Sequence, residues 1–381
     1  MKSLLNPVIS NVELSGIRTI TTLARKTPGC LMLTMGEPDF DTPEEIKNAA
    51  KAALDAGLTH YPEGNGLPYV LEEISRFERE KHGLNFTPDE IILTNGATEA
   101  LFCALFGIIA PGDEIIIPTP AFGLYEMTIK LCRGIPVLMD TSADDFQITE
   151  EKLSKAITSK TKAIVITSPN NPTGSILNEE SLEIVRRTAS VHNMFVICDE
   201  VYRDLVYTDG YKSFATSYPE LHDRVIVTQS FSKPYAMTGW RAGYLMVDAP
   251  IREQIQKVHQ YTVVSAVSFI QPACVTALHY NPSEMKETYR RRRAYICDRL
   301  KKIGLPFHYP EGAFYVFPSI AQFGIDSGTF CTKMIREAGI AVVPGACFYA
   351  DGYVRLSYCN SDSVIAEAMD RIEKFVSTLK V

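Results

Sequence analysis

The chain has 381 residues, of which 46% are apolar and 22% charged, with 38 Lys and Arg against 45 Asp and Glu. That length exceeds the roughly 150 residues of one typical domain, and the apolar share excludes a disordered chain. A net charge of −7 speaks against a nucleic-acid binder, which presents a basic face.

Met1 to Val8 offer one Lys and two leucines before Asn6 and Pro7, too short a stretch for a secretory leader. The longest apolar run, Leu101–Ala110, falls far below the roughly 20 residues that cross a bilayer. The nine cysteines contain no C-x-x-C pair and no zinc-finger spacing with His. They read as reduced, mostly buried thiols of a cytoplasmic protein.

Thr42 as N-cap, Pro43 at the first helical position, Glu45 completing a capping box and Gly57 as a stop predict a helix over 43–57. Leu71, Ile74 and Phe77 give the next helix its buried face, and Gly83 ends it. A rhythm then begins. Seven short apolar runs follow: Glu90–Leu93, Glu114–Ile117, Pro136–Met139, Ala163–Thr167, Met194–Cys198, Val225–Thr228 and Gly243–Val247. Helical patterns such as Glu99–Ile109 and Glu179–His192 fill the gaps. Runs that are apolar throughout predict strands buried on both faces. The fold class is therefore α/β, a mostly parallel sheet flanked by helices, with ligands at the carboxyl ends of the strands.

Beyond residue 250 the pattern changes to long helices through 250–302. A short strand near Ala313–Phe317, a helix near Phe330–Ala338, a strand near Val354–Ser357 and a last helix from about Ser363 follow. These predict a smaller α+β domain closing over the first. Arg290 to Arg293 point about 100° apart around a helix and read as solvated or paired with acids.

No P-loop, H-E-x-x-H or G-x-S-x-G motif occurs, and Gly64-Asn65-Gly66 is not a dinucleotide fingerprint, since no strand precedes it. Four junctions carry the chemistry instead. Thr94-Asn95-Gly96-Ala97-Thr98-Glu99 opens a helix after a strand, either an ordinary helix start or a phosphate site. Ser168-Pro169-Asn170-Asn171-Pro172-Thr173-Gly174 is a tight turn that can hold an amide rigidly. Asp199, with Tyr202 three residues on, follows a buried strand, where a carboxylate is costly unless paired. Ser230-Phe231-Ser232-Lys233 is followed by Arg241, and a desolvated Lys is an amine nucleophile. Each motif alone reads equally as local structure. Together, at successive strand ends, they match the phosphate, ring nitrogen, phenolate and aldehyde of pyridoxal 5′-phosphate.

In these motifs the chain resembles the class I/II aminotransferases of fold type I, the group containing aspartate aminotransferase, from Gly36-Glu37-Pro38 to Arg355. The resemblance implies a seven-stranded sheet and a small domain built from both chain ends. Its units are 1–45 (arm and part of the small domain), 46–285 (cofactor domain) and 286–381 (small domain). It implies that Lys233 is the Schiff-base lysine, that Asp199 holds the ring nitrogen protonated, and that Asn171 and Tyr202 bond the phenolate oxygen. Gly96, Ala97, Thr98, Ser230 and Arg241 would hold the phosphate, and Phe122 would stack on the ring. Tyr61 matches a tyrosine that reaches the phosphate of a neighbouring subunit, so a homodimer with shared sites is expected. Arg355 would fork the substrate α-carboxylate, assisted by Asn171 and Gly36.

The same resemblance bears on the substrates, an amino acid and a 2-oxo acid such as 2-oxoglutarate. One branch of aspartate aminotransferases has a Lys where Thr98 stands, and another an Arg from the partner within 261–268; this chain has neither. Ile17, Tyr125, Tyr261 and Val263 as pocket residues imply an aromatic, hydrophobic or broad donor range, with aspartate possible. The alternatives are a carbon–sulfur β-lyase with the same cofactor and a non-catalytic regulator on the same fold. No nucleic acid, membrane or metal partner is expected.

Overall fold

All seven apolar runs enter one sheet. In chain order its strands are β1 (Ile91–Thr94), β2 (Glu114–Thr119), β3 (Ile135–Asp140), β4 (Thr161–Thr167), β5 (Phe195–Asp199), β6 (Val225–Ser230) and β7 (Gly243–Met246). The computed structural model describes residues 5–14 and 16–379. The first residues of the 1–8 stretch and the last two of the 286–381 unit thus lie outside the described residues.

The strand order across the sheet is β1-β7-β6-β5-β4-β2-β3. β7 runs antiparallel to both neighbours, and the other pairings are parallel. Every residue of β1, β6 and β7 is buried, because both faces of the sheet are covered. One face packs Ile116, Ile164 and Val196 against Ile74, Val185 and Ala273, and the other packs Ile115, Val165 and Ile197 against Leu101, Leu105 and Ile255. A separate core joins Ile20 and Leu33, near the start of the chain, to Ile296, Phe330 and Ile372. There Leu31–Met32 pairs in parallel with Ile340–Ala341, and Val354–Ser357 lies between Val343–Pro344 and Tyr315–Val316.

The helices fall close to their sequence patterns: Ala97–Ile108, Glu179–His192, Ala249–Val263, Gln271–His279, Ser283–Ile303, Ser327–Ala338 and Asp362–Leu379. Pro68–Phe77 buries Leu71 and Ile74 as its pattern predicts, and a further turn, Glu78–His82, carries it to Gly83. The expected capping box at Thr42 does not form. The helix starts at Glu44 with Pro43 in the capping position. Thr42 Oγ1 instead donates to the Ala236 carbonyl at 2.6 Å and accepts from Trp240 Nε1 at 3.0 Å. A tertiary bond has taken the hydroxyl that the local motif required.

The arginine run splits around its helix. Arg292 bonds both Asp39 and Asp362. Arg293 is buried, donating to the Pro310 carbonyl with its guanidinium over the rings of Tyr207 and Tyr309. All nine cysteines are free thiols. Among the described residues no single helix is long and apolar enough to cross a membrane.

Candidate active site

The carboxyl ends of β4, β5 and β6 open into a cavity of about 720 Å³. Its walls include Ile17, Gly36, Ala97, Thr98, Phe122, Asn171, Asp199, Tyr202, Ser230, Lys233, Arg241 and Arg355. Residues scattered over more than three hundred positions therefore meet in one place. Gly96 stands directly behind the wall, and Tyr61 does not line the cavity of its own chain, being 85% exposed. Tyr261 and Val263 also stay out of it; Tyr261 is 88% exposed near the end of Ala249–Val263.

Lys233 follows β6, and its Nζ donates to the Gly36 carbonyl at 2.7 Å. Burial draws its pKa down to about 8, opposed by Cys359 and Glu37 nearby. An amine so placed gives up its proton within the physiological range. Gly36 can approach because it lacks a side chain: a Cβ there would lie 2.1 Å from the Tyr315 hydroxyl.

Asp199 ends β5, buried, and burial pushes its carboxyl up to about 6. Its Oδ2 accepts from the Tyr125 hydroxyl at 2.6 Å, and the same hydroxyl lies 2.8 Å from Thr167 Oγ1. No cation bonds this carboxylate among the described residues.

At the junction after β1, Gly96 adopts φ +84°, and a Cβ there would lie 2.5 Å from Arg241 Nη2. The glycine thus lets the guanidinium lie against the start of the helix Ala97–Ile108. Arg241 is held by carbonyls, Thr238 at 3.1 Å and Asn95 at 3.4 Å, and by no acid among the described residues. Ser230 Oγ bonds Ser232 Oγ at 2.8 Å on the adjoining strand end.

Arg355 comes from Val354–Ser357 and is buried. It donates to Asn171 Oδ1 at 2.8 Å and to the Thr34 carbonyl at 2.7 Å, with its guanidinium 4.4 Å from the Tyr315 ring centre. Its Nε and the Thr34 hydroxyl have no hydrogen-bond partner among the described residues. Tyr202 and Tyr315 hydroxyls lie 2.9 Å apart.

Tyr315, Thr34 and the Tyr125–Asp199 bond escaped the sequence reading. Tyr315 sits in a run that reads as an ordinary strand, and Tyr125 reads as a pocket wall. Their value comes only from contacts spanning 113 and 74 residues.

A lysine, a buried acid and an arginine-lined helix start around one cavity match a known group of enzymes. The sequence pattern described as aminotransferase class I and II matches residues 28–372. The chain belongs to that family. It is 40% identical to a protein named probable N-acetyl-LL-diaminopimelate aminotransferase of Bacillus subtilis, over 99% of this chain and 96% of that protein. It is also 40% identical to an aspartate aminotransferase of Pyrococcus abyssi, over 97% of each. A solved aromatic aminotransferase of Pyrococcus horikoshii superposes with a TM-score of 0.89 at 38% identity, covering 94% of this chain and 99% of that one.

This chain is accordingly an aminotransferase that uses pyridoxal phosphate and acts on amino acids and 2-oxo acids. The residues present fit that cofactor. The cavity holds an amine with one carbonyl partner, a buried carboxylate lacking a cation and a guanidinium lacking an anion. An aldehyde would bond the amine covalently with loss of water, a protonated pyridine nitrogen would face the carboxylate, and a phosphate would meet the guanidinium.

Proposed function

We propose that Lys233 is the amine that binds the cofactor covalently and then moves the proton from the substrate Cα. The observation that carries this is its position: a lysine with a depressed pKa, at the strand end between Asp199 and Arg355, in the one cavity that both line. When bound, the cofactor supplies an electron-withdrawing ring that accepts the electron pair released at Cα. Asp199 holds a proton on the ring nitrogen, and its cost of burial is offset by the cation it then faces. Gly96, Ala97, Thr98, Ser230 and Arg241 bind the phosphate through backbone N–H groups, a hydroxyl and a guanidinium. Phe122 packs on the ring face. Asn171 and Tyr202 donate to the phenolate oxygen. Arg355 forks the α-carboxylate, with Asn171 and Gly36 beside it. Lys233 Nζ, whose pKa burial draws down to about 8, takes a proton and returns it at lower cost than an exposed lysine would.

The inner wall of Ile17, Leu101, Phe122, Leu124 and Tyr125 is apolar, which supports a broad donor range, aromatic and hydrophobic amino acids included, with 2-oxoglutarate as an acceptor. Single amino acids mixed with the loaded protein test the reading. Transamination yields the 2-oxo acid and the aminated cofactor. Pyruvate with ammonia from a cysteine conjugate indicates a carbon–sulfur β-lyase, and no spectral change with any amino acid indicates a regulator.

The chain works as a homodimer. Leu58, Tyr61, Tyr261, Val264 and Val267 are all exposed, on two segments joined by Ser268 Oγ bonding the Leu58 carbonyl at 2.8 Å. A partner covering this patch places Tyr61 at the second site. Sedimentation equilibrium is expected to give a dimer mass, and a monomer at micromolar concentration contradicts it. The nine free thiols support a reducing, cytoplasmic location. The division into 1–45, 46–285 and 286–381 is supported by the separate core that ties Ile20 and Leu33 to Ile296 and Ile372.

A further inference from the structure

The helix Ala97–Ile108 carries an acid, Glu99, in its first turn. At the start of a helix that is to hold a phosphate, a carboxylate is a poor neighbour. It repels a second anion, and from this position it can take the free N–H groups of the helix start for itself. Gly96 is the capping residue, and among the described residues the N–H groups of Ala97 and Thr98 donate to no backbone or side-chain acceptor. Glu99 leaves them free because it is tied elsewhere.

Its Oε2 reaches back past Gly96 and accepts from the Asn95 backbone N–H at 2.6 Å and from Asn95 Nδ2 at 3.0 Å. Its Oε1 lies 2.6 Å from His259 Nδ1, with Cys103 Sγ a weak donor at 3.8 Å. Burial opposes the charge on Glu99, but the bonds from His259 and Asn95 outweigh it and hold the carboxyl below its ordinary pKa. An ionised carboxylate only accepts, so His259 carries its proton on Nδ1 and donates it. His259 is fully buried on the helix Ala249–Val263, and its Nε2 has no hydrogen-bond partner among the described residues. The one hydrogen bond that its ring makes there is to Glu99.

Asn95 joins this pair to the other half of the site. Its N–H goes to Glu99, and its carbonyl accepts from Arg241 Nη2 at 3.4 Å. An unbroken chain of hydrogen bonds therefore runs from His259 through Glu99 and Asn95 to Arg241.

We propose that Glu99 and His259 are positioning residues for the cofactor phosphate. His259 holds Glu99 against Asn95. That keeps the Ala97 and Thr98 N–H groups open and sets the carbonyl that steers Arg241. The inference rests on the reading that Gly96, Ala97, Thr98 and Arg241 bind the phosphate.

The test titrates the full chain with pyridoxamine 5′-phosphate and with pyridoxamine, which differ only in the phosphate and have no aldehyde to react with Lys233. The wild type is expected to prefer the phosphorylated form. His259→Phe, which keeps the ring volume and removes the donor, should weaken that form by about tenfold, the worth of a hydrogen bond to a charged group, and pyridoxamine by less than about twofold. His259→Asn, which returns an N–H near the place of Nδ1, should restore most of the loss. In a Glu99→Gln background, His259→Phe should add less than about twofold, because His259 acts through Glu99. The phosphorus resonance of the loaded enzyme should move in His259→Phe and return in His259→Asn. Should His259→Phe fail to fold, Glu99→Gln carries the same comparison, since one amide oxygen cannot serve both Asn95 and His259. Equal weakening of both ligands, no weakening of either, or an unmoved phosphorus resonance overturns the proposal. A wild type that binds the two ligands alike overturns the phosphate reading itself, and the positioning role with it.

Discussion

Replacing Lys233 with Ala is expected to lower turnover by about 10⁴-fold or more, since it removes both the covalent tether and the proton carrier. No neighbour can take over. The other cations of the inner cavity, Arg241 and Arg355, carry guanidinium groups in place of a primary amine and are held in place by carbonyl and amide oxygens. Tyr202 and Tyr315 are phenols whose pKa values burial raises, Tyr315 to about 12. The fold should tolerate the change, because the lysine makes one hydrogen bond, to Gly36. Arginine at 233 keeps the charge but lacks a titratable amine, and should be as inactive as alanine. The measurement is a single-turnover rate with an amino acid donor, read beside a thermal melt. Activity within about tenfold of wild type in a folded variant contradicts the assignment.

The second large effect falls on stability. Arg203 lies in the turn that follows Asp199 and Tyr202, with 1% of its side chain exposed. It bonds Glu78 at 2.7 Å and Glu200 at 3.0 Å, and those acids are 0% and 4% exposed. The Tyr244 hydroxyl also donates to Glu78, and the Ser213 hydroxyl to Glu200. Arg203→Met removes the only cation bonded to these two buried carboxylates among the described residues. Such a change costs about 3–5 kcal/mol, most of it the burial of unpaired charge. Chemical unfolding should show that loss. Adding Glu78→Gln and Glu200→Gln should recover much of it, because the cost lies in the stranded charges. A loss under about 1 kcal/mol for the single variant contradicts this account of the cluster. The cluster also fixes the strand end that presents Asp199, so the destabilised variant should bind cofactor more weakly.

Much of this protein was legible from its sequence, for identifiable reasons. Strands β1, β6 and β7 are buried along their whole length, and Ile91–Leu93, Val225–Val227 and Tyr244–Met246 within them are apolar in unbroken runs that stand out. Lys233, Asp199 and Asn171 were legible because each stands within a few residues of the end of an apolar run, at the end of the sheet where ligands bind. Local rules failed where distant residues competed. Thr42 has the right spacing for a cap, but its hydroxyl serves Ala236, 194 positions away. Arg292 pairs with Asp39 and Asp362, one of the two outcomes expected of the run, whereas Arg293 is drawn inward by the Pro310 carbonyl instead of being solvated or paired with an acid.

The net charge of −7 conceals a cavity lined, among the described residues, by five cations and one carboxylate.

The account turns on Lys233 as the residue that bonds the cofactor. Reducing the loaded protein with borohydride, digesting it and mapping the pyridoxyl group by mass spectrometry tests this without reliance on any substrate. The account predicts the label on the peptide containing Lys233 and on no other. A label on a different lysine, or a loaded protein that takes none, contradicts it.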